Sequence, residues 1–157
     1  MNVDFEINNT RINARVSAII YNKDKTKVLL FKVEDGRDYY MLPGGRIELN
    51  ESSGDAVSRE MKEELDFDLN YKLCAIEENF IKKDGMDNMQ YSFVYKAIHD
   101  DEIIDKVISC LDDNNQKFYW ADIDKINDYK IFPESVYQLV KDYTDNIVHF
   151  CNDIVID

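Results

Sequence analysis

Strand-forming residues dominate the first third of the chain and return after position 69, with one stretch of helical spacing between. Arg15-Val16-Ser17-Ala18-Ile19-Ile20-Tyr21 is rich in β-branched and aromatic side chains, Asn22–Lys25 is a polar turn, and Lys27–Val33 reads as the returning strand. Residues 3–33 therefore predict β structure closed by a hairpin. Glu34-Asp35-Gly36-Arg37-Asp38 is a second turn signal and Tyr39–Leu42 a further strand, after which Pro43-Gly44-Gly45 breaks regular structure. From Ser52 or Ser53 to Leu65 the spacing becomes helical, with either serine available as N-cap and Asp55 in the first turn. Leu69–Ile81 and Met89–Ile98 form two longer strands around a Lys82–Asn88 turn containing Gly85. His99–Gln116 is acidic and aperiodic, which predicts a long loop with a short helix. Phe118-Tyr119-Trp120 is a short strand, Pro133 opens a helix as its first residue and runs it to about Tyr143, and Ile147–Ile156 alternates as a late strand. Strands and helices do not alternate as βαβ units, which disfavours a parallel Rossmann sheet. No repeat or low-complexity linker divides the chain, so residues 1–157 predict one mixed domain.

Charge narrows the partners. Lys and Arg number 19 against 32 Asp and Glu, a formal net charge of −13 over 157 residues. That sign excludes the basic footprint of a nucleic-acid backbone binder and a polybasic membrane anchor. A phosphate compound as ligand would need its repulsion neutralised, and a divalent cation is the natural means. Ten Tyr, 8 Phe and 1 Trp supply the apolar surface that disordered chains lack. Cys74, Cys110 and Cys151 are odd in number and have no C-x-x-C spacing, which argues against a disulfide framework or zinc knuckle. The first residues carry Asp4 and Glu6 where a signal peptide needs positive charge. Without secretion, the glycosylation patterns at Asn8 and Asn50 are chance matches. A cytoplasmic enzyme or binding domain fits, acting alone or as a homodimer.

The chemistry concentrates in the predicted helix. At about 100° per residue, Glu60, Glu63 and Glu64 fall within an arc of about 100°, and the Val57, Met61, Leu65 stripe lies roughly a quarter turn away. A solvated acidic face would lie opposite the apolar stripe. These acids border it, which places them where helix meets sheet. Like charges four apart cost an isolated helix about 0.2–0.5 kcal/mol, and a bound hard cation reverses that penalty, since carboxylate oxygens suit Mg²⁺ and Mn²⁺.

The surrounding spacing carries a resemblance. Gly45, five residues, Glu51, seven residues, then Arg59-Glu60-Met61-Lys62-Glu63-Glu64-Leu65-Asp66-Phe67 resembles the Nudix box, G-x5-E-x7-R-E-U-x-E-E-x-G-U with U apolar. Only the final Gly departs, replaced here by Asp66. The preceding Leu42-Pro43-Gly44 also resembles the family. This resemblance implies the Nudix fold, an α/β (α+β) architecture with a mixed β-sheet sandwiched between helices and the box as loop–helix–loop. It implies metal-dependent hydrolysis of the diphosphate linkage of a nucleoside diphosphate joined to another moiety X. It assigns Mg²⁺ or Mn²⁺ to Glu60, Glu63 and Glu64 with the Gly44 carbonyl, and gives Glu51 and Arg59 a role in bracing the box. Asp66 stands just past the helix, where a left-handed residue commonly ends it, so the departure bears on loop geometry rather than chemistry.

The family also places a further acid on a loop after the central strands. Here that loop carries Asp100, Asp101, Glu102, Asp105, Asp112 and Asp113, and Asp112 or Asp113 is favoured over Glu102 as general base, against a plain solvated acidic loop. The proline and tyrosine markers of the ADP-ribose and diadenosine polyphosphate subgroups are absent from the Ile81–Gly85 region. A nucleoside triphosphate, a nucleotide sugar or a related compound remains as substrate, and Tyr39, Tyr40 and Arg46 stand as base or phosphate contacts or as packing and solvated charge. His99 and His149 read as surface or edge residues, and Phe118, Tyr119 and Trp120 as core. The second functional reading is a Nudix-fold nucleotide sensor without turnover; an acidic interaction protein requires the whole spacing to be coincidence.

Overall fold

A computed structural model describes residues 1–103, 107–142 and 145–156. Among these residues nine strands form one mixed sheet: β1 Asp4–Ile7, β2 Thr10–Asn22, β3 Lys27–Val33, β4 Gly44–Arg46, β5 Lys72–Lys83, β6 Met86–His99, β7 Val107–Ser109, β8 Gln116–Asp122 and β9 Val148–Ile156. Helix α1 spans Ser53–Leu65, a 3₁₀ helix spans Ile123–Asp128, and α2 is the short Ser135–Leu139. The strand order is β7-β8-β3-β2-β6-β5-β9, with β1 and β4 also paired to β2. Two pairings are parallel, β2 with β6 and β5 with β9; the rest are antiparallel.

Period-2 alternation on the central strands buries both faces of the sheet. Val16, Ala18 and Ile20 of β2 join Leu29 and Phe31 of β3 against Ala56, Val57, Met61 and Leu65 of α1. Their neighbours Ile19 and Tyr21 face the other way, with Val28 and Leu30, onto Ile123 and Ile126 of the 3₁₀ helix and Val136 and Leu139 of α2. The expected mixed sheet between helices is the one observed.

Local chemistry fixes the turns. Asn8 and Asn9 both have positive φ, at 50° and 62°, and close the β1–β2 hairpin; Asp84 and Gly85, at 52° and 75°, close β5–β6. A two-residue hairpin of type I′ needs left-handed backbone at both positions, which Asn, Asp and Gly adopt most readily. The β2–β3 turn is pinned by Asn22, whose Oδ1 accepts from the amides of Thr26 (2.9 Å) and Lys27 (2.8 Å).

Four sequence expectations are corrected. Tyr39–Leu42 is not a strand; it makes only the isolated bridges Tyr40↔Ile131 and Phe31↔Met41. Gly44 and Gly45 do not end regular structure but form β4, paired to Ser17 and Val16 of β2. The segment after His99 contains strand β7 in place of a helix among its described residues. Pro133 does not stand at the first helical position: α2 starts at Ser135 with Glu134 as its N-cap residue, and its last residue is Leu139. Tyr143 and Asp105 lie outside the described residues.

Candidate active site

Helix α1 begins as its sequence dictates. The Ser52 side chain accepts from the Asp55 amide at 3.1 Å, and the Ser52 hydroxyl donates to Asp55 Oδ2 at 2.7 Å, which satisfies one of the open amides of the first turn. At the other end Asp66 is left-handed, φ 57° and ψ 30°, with its N–H on the Lys62 carbonyl and the Phe67 N–H on the Met61 carbonyl. That is the geometry a Gly would adopt without steric cost. Asp66→Gly is expected to raise stability by about 0.5–1 kcal/mol; an unchanged or lower midpoint in urea melts counts against this. The Lys62–Asp66 pair lost in the variant is exposed and worth little.

Arg59 is the hub of the box. Its Nε donates to Glu51 Oε1 at 2.7 Å and its Nη2 to Glu51 Oε2 at 2.9 Å, a two-pronged pairing that ties α1 to the loop before it. Nη2 also reaches the Arg46 carbonyl at 3.1 Å, while Nη1 lies 3.0 Å from Glu60 Oε1 and 3.3 Å from Glu63 Oε2. Glu51 further accepts from the Glu48 amide at 2.9 Å. The arginine holds the Glu51 carboxyl below its ordinary range. One guanidinium thus orients three of the four box carboxylates.

Glu60 and Glu64 are half-buried, and both carboxyls are shifted by it. Burial, opposed in part by Arg59, raises the Glu60 carboxyl. Burial first, then the charge of Glu60, pushes Glu64 up to about 8. The Oε2 atom of Glu64 is buried with no hydrogen-bond partner among the described residues. A buried carboxylate oxygen without a donor costs several kcal/mol unless a cation or proton meets it. Gly45 makes room for this cluster: a Cβ there would lie 2.0 Å from Cδ of Glu60. At Gly44 a Cβ would lie 2.1 Å from the Val16 carbonyl oxygen, so β4 pairs with β2 only because that residue has no side chain. Gly45→Ala displaces only a flexible carboxylate. The variant is expected to fold, with kcat lowered about a hundredfold by the misplaced Glu60; wild-type kcat in a folded protein would refute the cradle.

The acidic loop approaches from the far end of α1. The Leu111 amide donates to the Glu64 carbonyl at 2.9 Å, and the charge of the adjacent Asp112 adds to the upward pressure on Glu64. Asp113 is occupied otherwise: its carboxylate accepts from the Asn115 amide at 2.9 Å and from Gln116 Nε2 at 3.2 Å, closing the turn into β8. Asp100, Asp101 and Glu102 are exposed. The structure therefore brings Gly45, Glu51, Arg59, Glu60, Glu63 and Glu64 together, leaves the exposed Asp112 within electrostatic reach of Glu64, and gives Asp113 to the turn.

Several polar residues went unnoticed in the sequence. Arg15 of β2 is a second basic group within electrostatic reach of the cluster: burial lowers its pKa, while Glu60 and Glu64 pull it upward. Arg15 also lies in a row across the sheet with Ser92 and Glu77, next to a second row of Asn13, Gln90, Asn79 and Asn152. Glu77 is buried, its carboxyl raised by desolvation and its Oε1 accepting from Ser135 at 2.6 Å. The signal was present in the polar residues alternating through β2 and β6, but alternation alone does not say which face is covered. Of the aromatic candidates, Tyr39 is packed edge-on to Phe132 and Tyr40 against Tyr119 and Tyr129, while Arg46 pairs with Asp4 at 3.0 Å. His99 is half-buried between Phe67 and Trp120, while His149 is exposed on the edge strand β9.

An oxygen-only cluster with one unsatisfied buried carboxylate and a glycine cradle fits a hard divalent cation, and Glu60, Glu63 and Glu64 can hold it. No helix of the described residues is long and apolar enough to cross a membrane.

Solved structures share this fold. The mutator MutT protein from Bacillus halodurans aligns with a TM-score of 0.66 at 21% identity, over 87% of this chain and 86% of that one. The E. coli dihydroneopterin triphosphate pyrophosphohydrolase aligns at 0.60 and 21%, over 83% and 93%. A C. elegans Ap4A hydrolase in a binary complex aligns at 0.56 and 20%, over 82% and 93%. No curated protein sequence matches the chain. The family model of the NUDIX domain matches residues 11–142, and the chain belongs to the Nudix family of pyrophosphohydrolases.

Proposed function

We propose that residues 1–157 act as one catalytic domain that hydrolyses the diphosphate linkage of a nucleoside diphosphate joined to a second moiety, in the cytoplasm and with Mg²⁺ or Mn²⁺. The reading is carried by the buried Glu64 Oε2, which has no hydrogen-bond partner among the described residues and feels the charge of Glu60, an arrangement that is costly without a cation. Glu60, Glu63 and Glu64 supply the ligands, with the carbonyl of Gly44 as a further one. An ion held there would offset the charge on the pyrophosphate oxygens and make a bound water more acidic. The chain's own groups do the rest. Arg59 spaces the carboxylates, Glu51 keeps Arg59 in place, and Arg15 adds positive charge at the rim of the cluster.

Asp112 is the general base in this reading. It takes the proton of the attacking water as the new P–O bond forms and the bridging P–O bond breaks, with the bridging oxygen leaving on the departing phosphate. Asp112→Ala is expected to lower kcat about 10²–10⁴-fold at saturating Mg²⁺, whereas Asp113→Ala keeps near-normal kcat and loses stability with its turn. Normal kcat in both variants would move the role to Glu60, because Arg59 already holds both oxygens of Glu51.

Nucleoside triphosphates and nucleotide sugars are the favoured substrates. The deciding experiment incubates the protein and Mg²⁺ with a panel of both, of dinucleoside polyphosphates and of ADP-ribose, and follows cleavage products by ion-exchange chromatography. Products from at least one class, abolished by EDTA, support the enzyme. Binding without products from any of them would favour a sensor.

A further inference from the structure

On β9, His149 and Cys151 are two residues apart and point to the same exposed face, while Phe150 between them packs into the core on the α2 side. The parallel pairing of β9 with β5 sets Ile76 opposite His149 and Glu78 opposite Cys151. Glu78 thereby meets both. Its Oε2 lies 2.7 Å from His149 Nε2 and 3.3 Å from Cys151 Sγ, and the sulfur lies 3.9 Å from the same ring nitrogen. The three ligand atoms fall within 4.8 Å of one another. We propose that Glu78, His149 and Cys151 form a second cation site, selective for a thiophilic divalent ion of the Zn²⁺ class and separate from the acidic cluster of α1.

Ligand chemistry sets the selectivity. A thiolate and an imidazole suit Zn²⁺, whereas Mg²⁺ takes oxygen ligands and leaves such a site to softer ions. Tetrahedral Zn²⁺ with one S, one N and one O ligand places those atoms about 3.4–3.6 Å apart. Side-chain torsions alone can open the short pair and close the long one, because the backbone positions are fixed by continuous strand pairing. An exposed His–Glu ion pair would account for the 2.7 Å contact, at little energetic worth. It does not account for the thiol directed at the same carboxylate oxygen. The other two cysteines, Cys74 and Cys110, are buried, which leaves Cys151 as the exposed thiol. On binding, the Cys151 S–H bond gives its proton to solvent and the thiolate forms the metal bond, so affinity rises with pH. Three protein ligands leave a fourth position for water or for a group from another molecule.

Co²⁺ titration of the full chain reads the site directly, since only a thiolate ligand gives a near-ultraviolet sulfur-to-cobalt charge-transfer band. With Mg²⁺ in excess to fill the acidic cluster of α1, the band is expected in the wild type, saturating near one equivalent and displaced by Zn²⁺ but not by further Mg²⁺. It is expected to vanish in Cys151→Ser and in His149→Ala, and to persist in Glu64→Gln. Mg²⁺-dependent hydrolysis by Cys151→Ser is expected to match the wild type. Thermal melts check that each variant is folded, and with Mg²⁺ in excess at the α1 cluster Zn²⁺ should raise the wild-type Tm more than that of Cys151→Ser. Absence of the band in the wild type, or a band of equal strength in folded Cys151→Ser, overturns the proposal.

Discussion

Glu64→Gln is expected to lower kcat by about three orders of magnitude or more at saturating Mg²⁺, while the protein stays folded. The amide keeps the volume of the side chain and its place on α1, so Met61 and Leu65 continue to pack against the sheet. What changes is charge. Glu64 is the acid whose second oxygen has no partner among the described residues, and a neutral amide is both a weaker ligand and a poorer counter to a divalent ion beside pyrophosphate. The loss should appear in kcat at saturating metal and not be recovered by raising Mg²⁺ further. EDTA should silence the wild type completely. Activity in excess EDTA, or a Glu64→Gln variant within tenfold of wild-type kcat, would remove the metal from the mechanism.

The box was legible because its information is local. Ser52 as cap, the Val57–Met61–Leu65 stripe and the bordering acids all follow from spacing along one helix, and α1 runs from Ser53 to Leu65 as that spacing requires. Asp66 likewise took the left-handed conformation that the missing Gly would have supplied. The features that escaped depend on distant partners. Gly44-Gly45 carries the local signal of a break, yet β2 recruits it as β4 because backbone pairing needs no side chain and tolerates none at Gly44. Pro133 carries the local signal of a helix start, but α2 amounts to little more than one turn held by Val136 and Leu139 in the core. Arg15 read as one polar residue in a strand. Only the folded arrangement brings its charge within electrostatic reach of Glu60 and Glu64.

Asp112 and Asp113 show the same limit at the site itself. Adjacent aspartates in an acidic loop are equivalent by composition, and the sequence offers no ground for dividing them. The fold divides them through hydrogen bonds: Asp113 is spent on Asn115 and Gln116, and Leu111 docks the loop on the end of α1 so that Asp112 bears on Glu64.

Metal-free protein is expected to lose stability as pH rises from about 5 to about 8, the reverse of an ordinary salt-bridged acid. Glu64 has an ordinary value of 4.5 and is pushed up to about 8 in the folded chain by burial and by Glu60. Between those two values the folded state holds a proton that the unfolded state has released. By linkage, stability then falls with rising pH across that window and levels off above it, by an amount on the order of a few kcal/mol at most. Burial moves Glu60 in the same direction. Glu51 works oppositely, since Arg59 depresses it, but its contribution is lost only as pH drops below the ordinary carboxylate range. Mg²⁺ should remove the slope, because the ion replaces the proton and binds more tightly as pH rises. Melts in EDTA at pH 5.5, 7 and 8.5 give the test, with Glu64→Gln alongside. The wild type should show a falling Tm, and the variant a flatter profile with a higher Tm than the wild type at pH 8.5. A wild-type Tm that rises over this range, or an identical slope in Glu64→Gln, would show that Glu64 does not carry the buried proton.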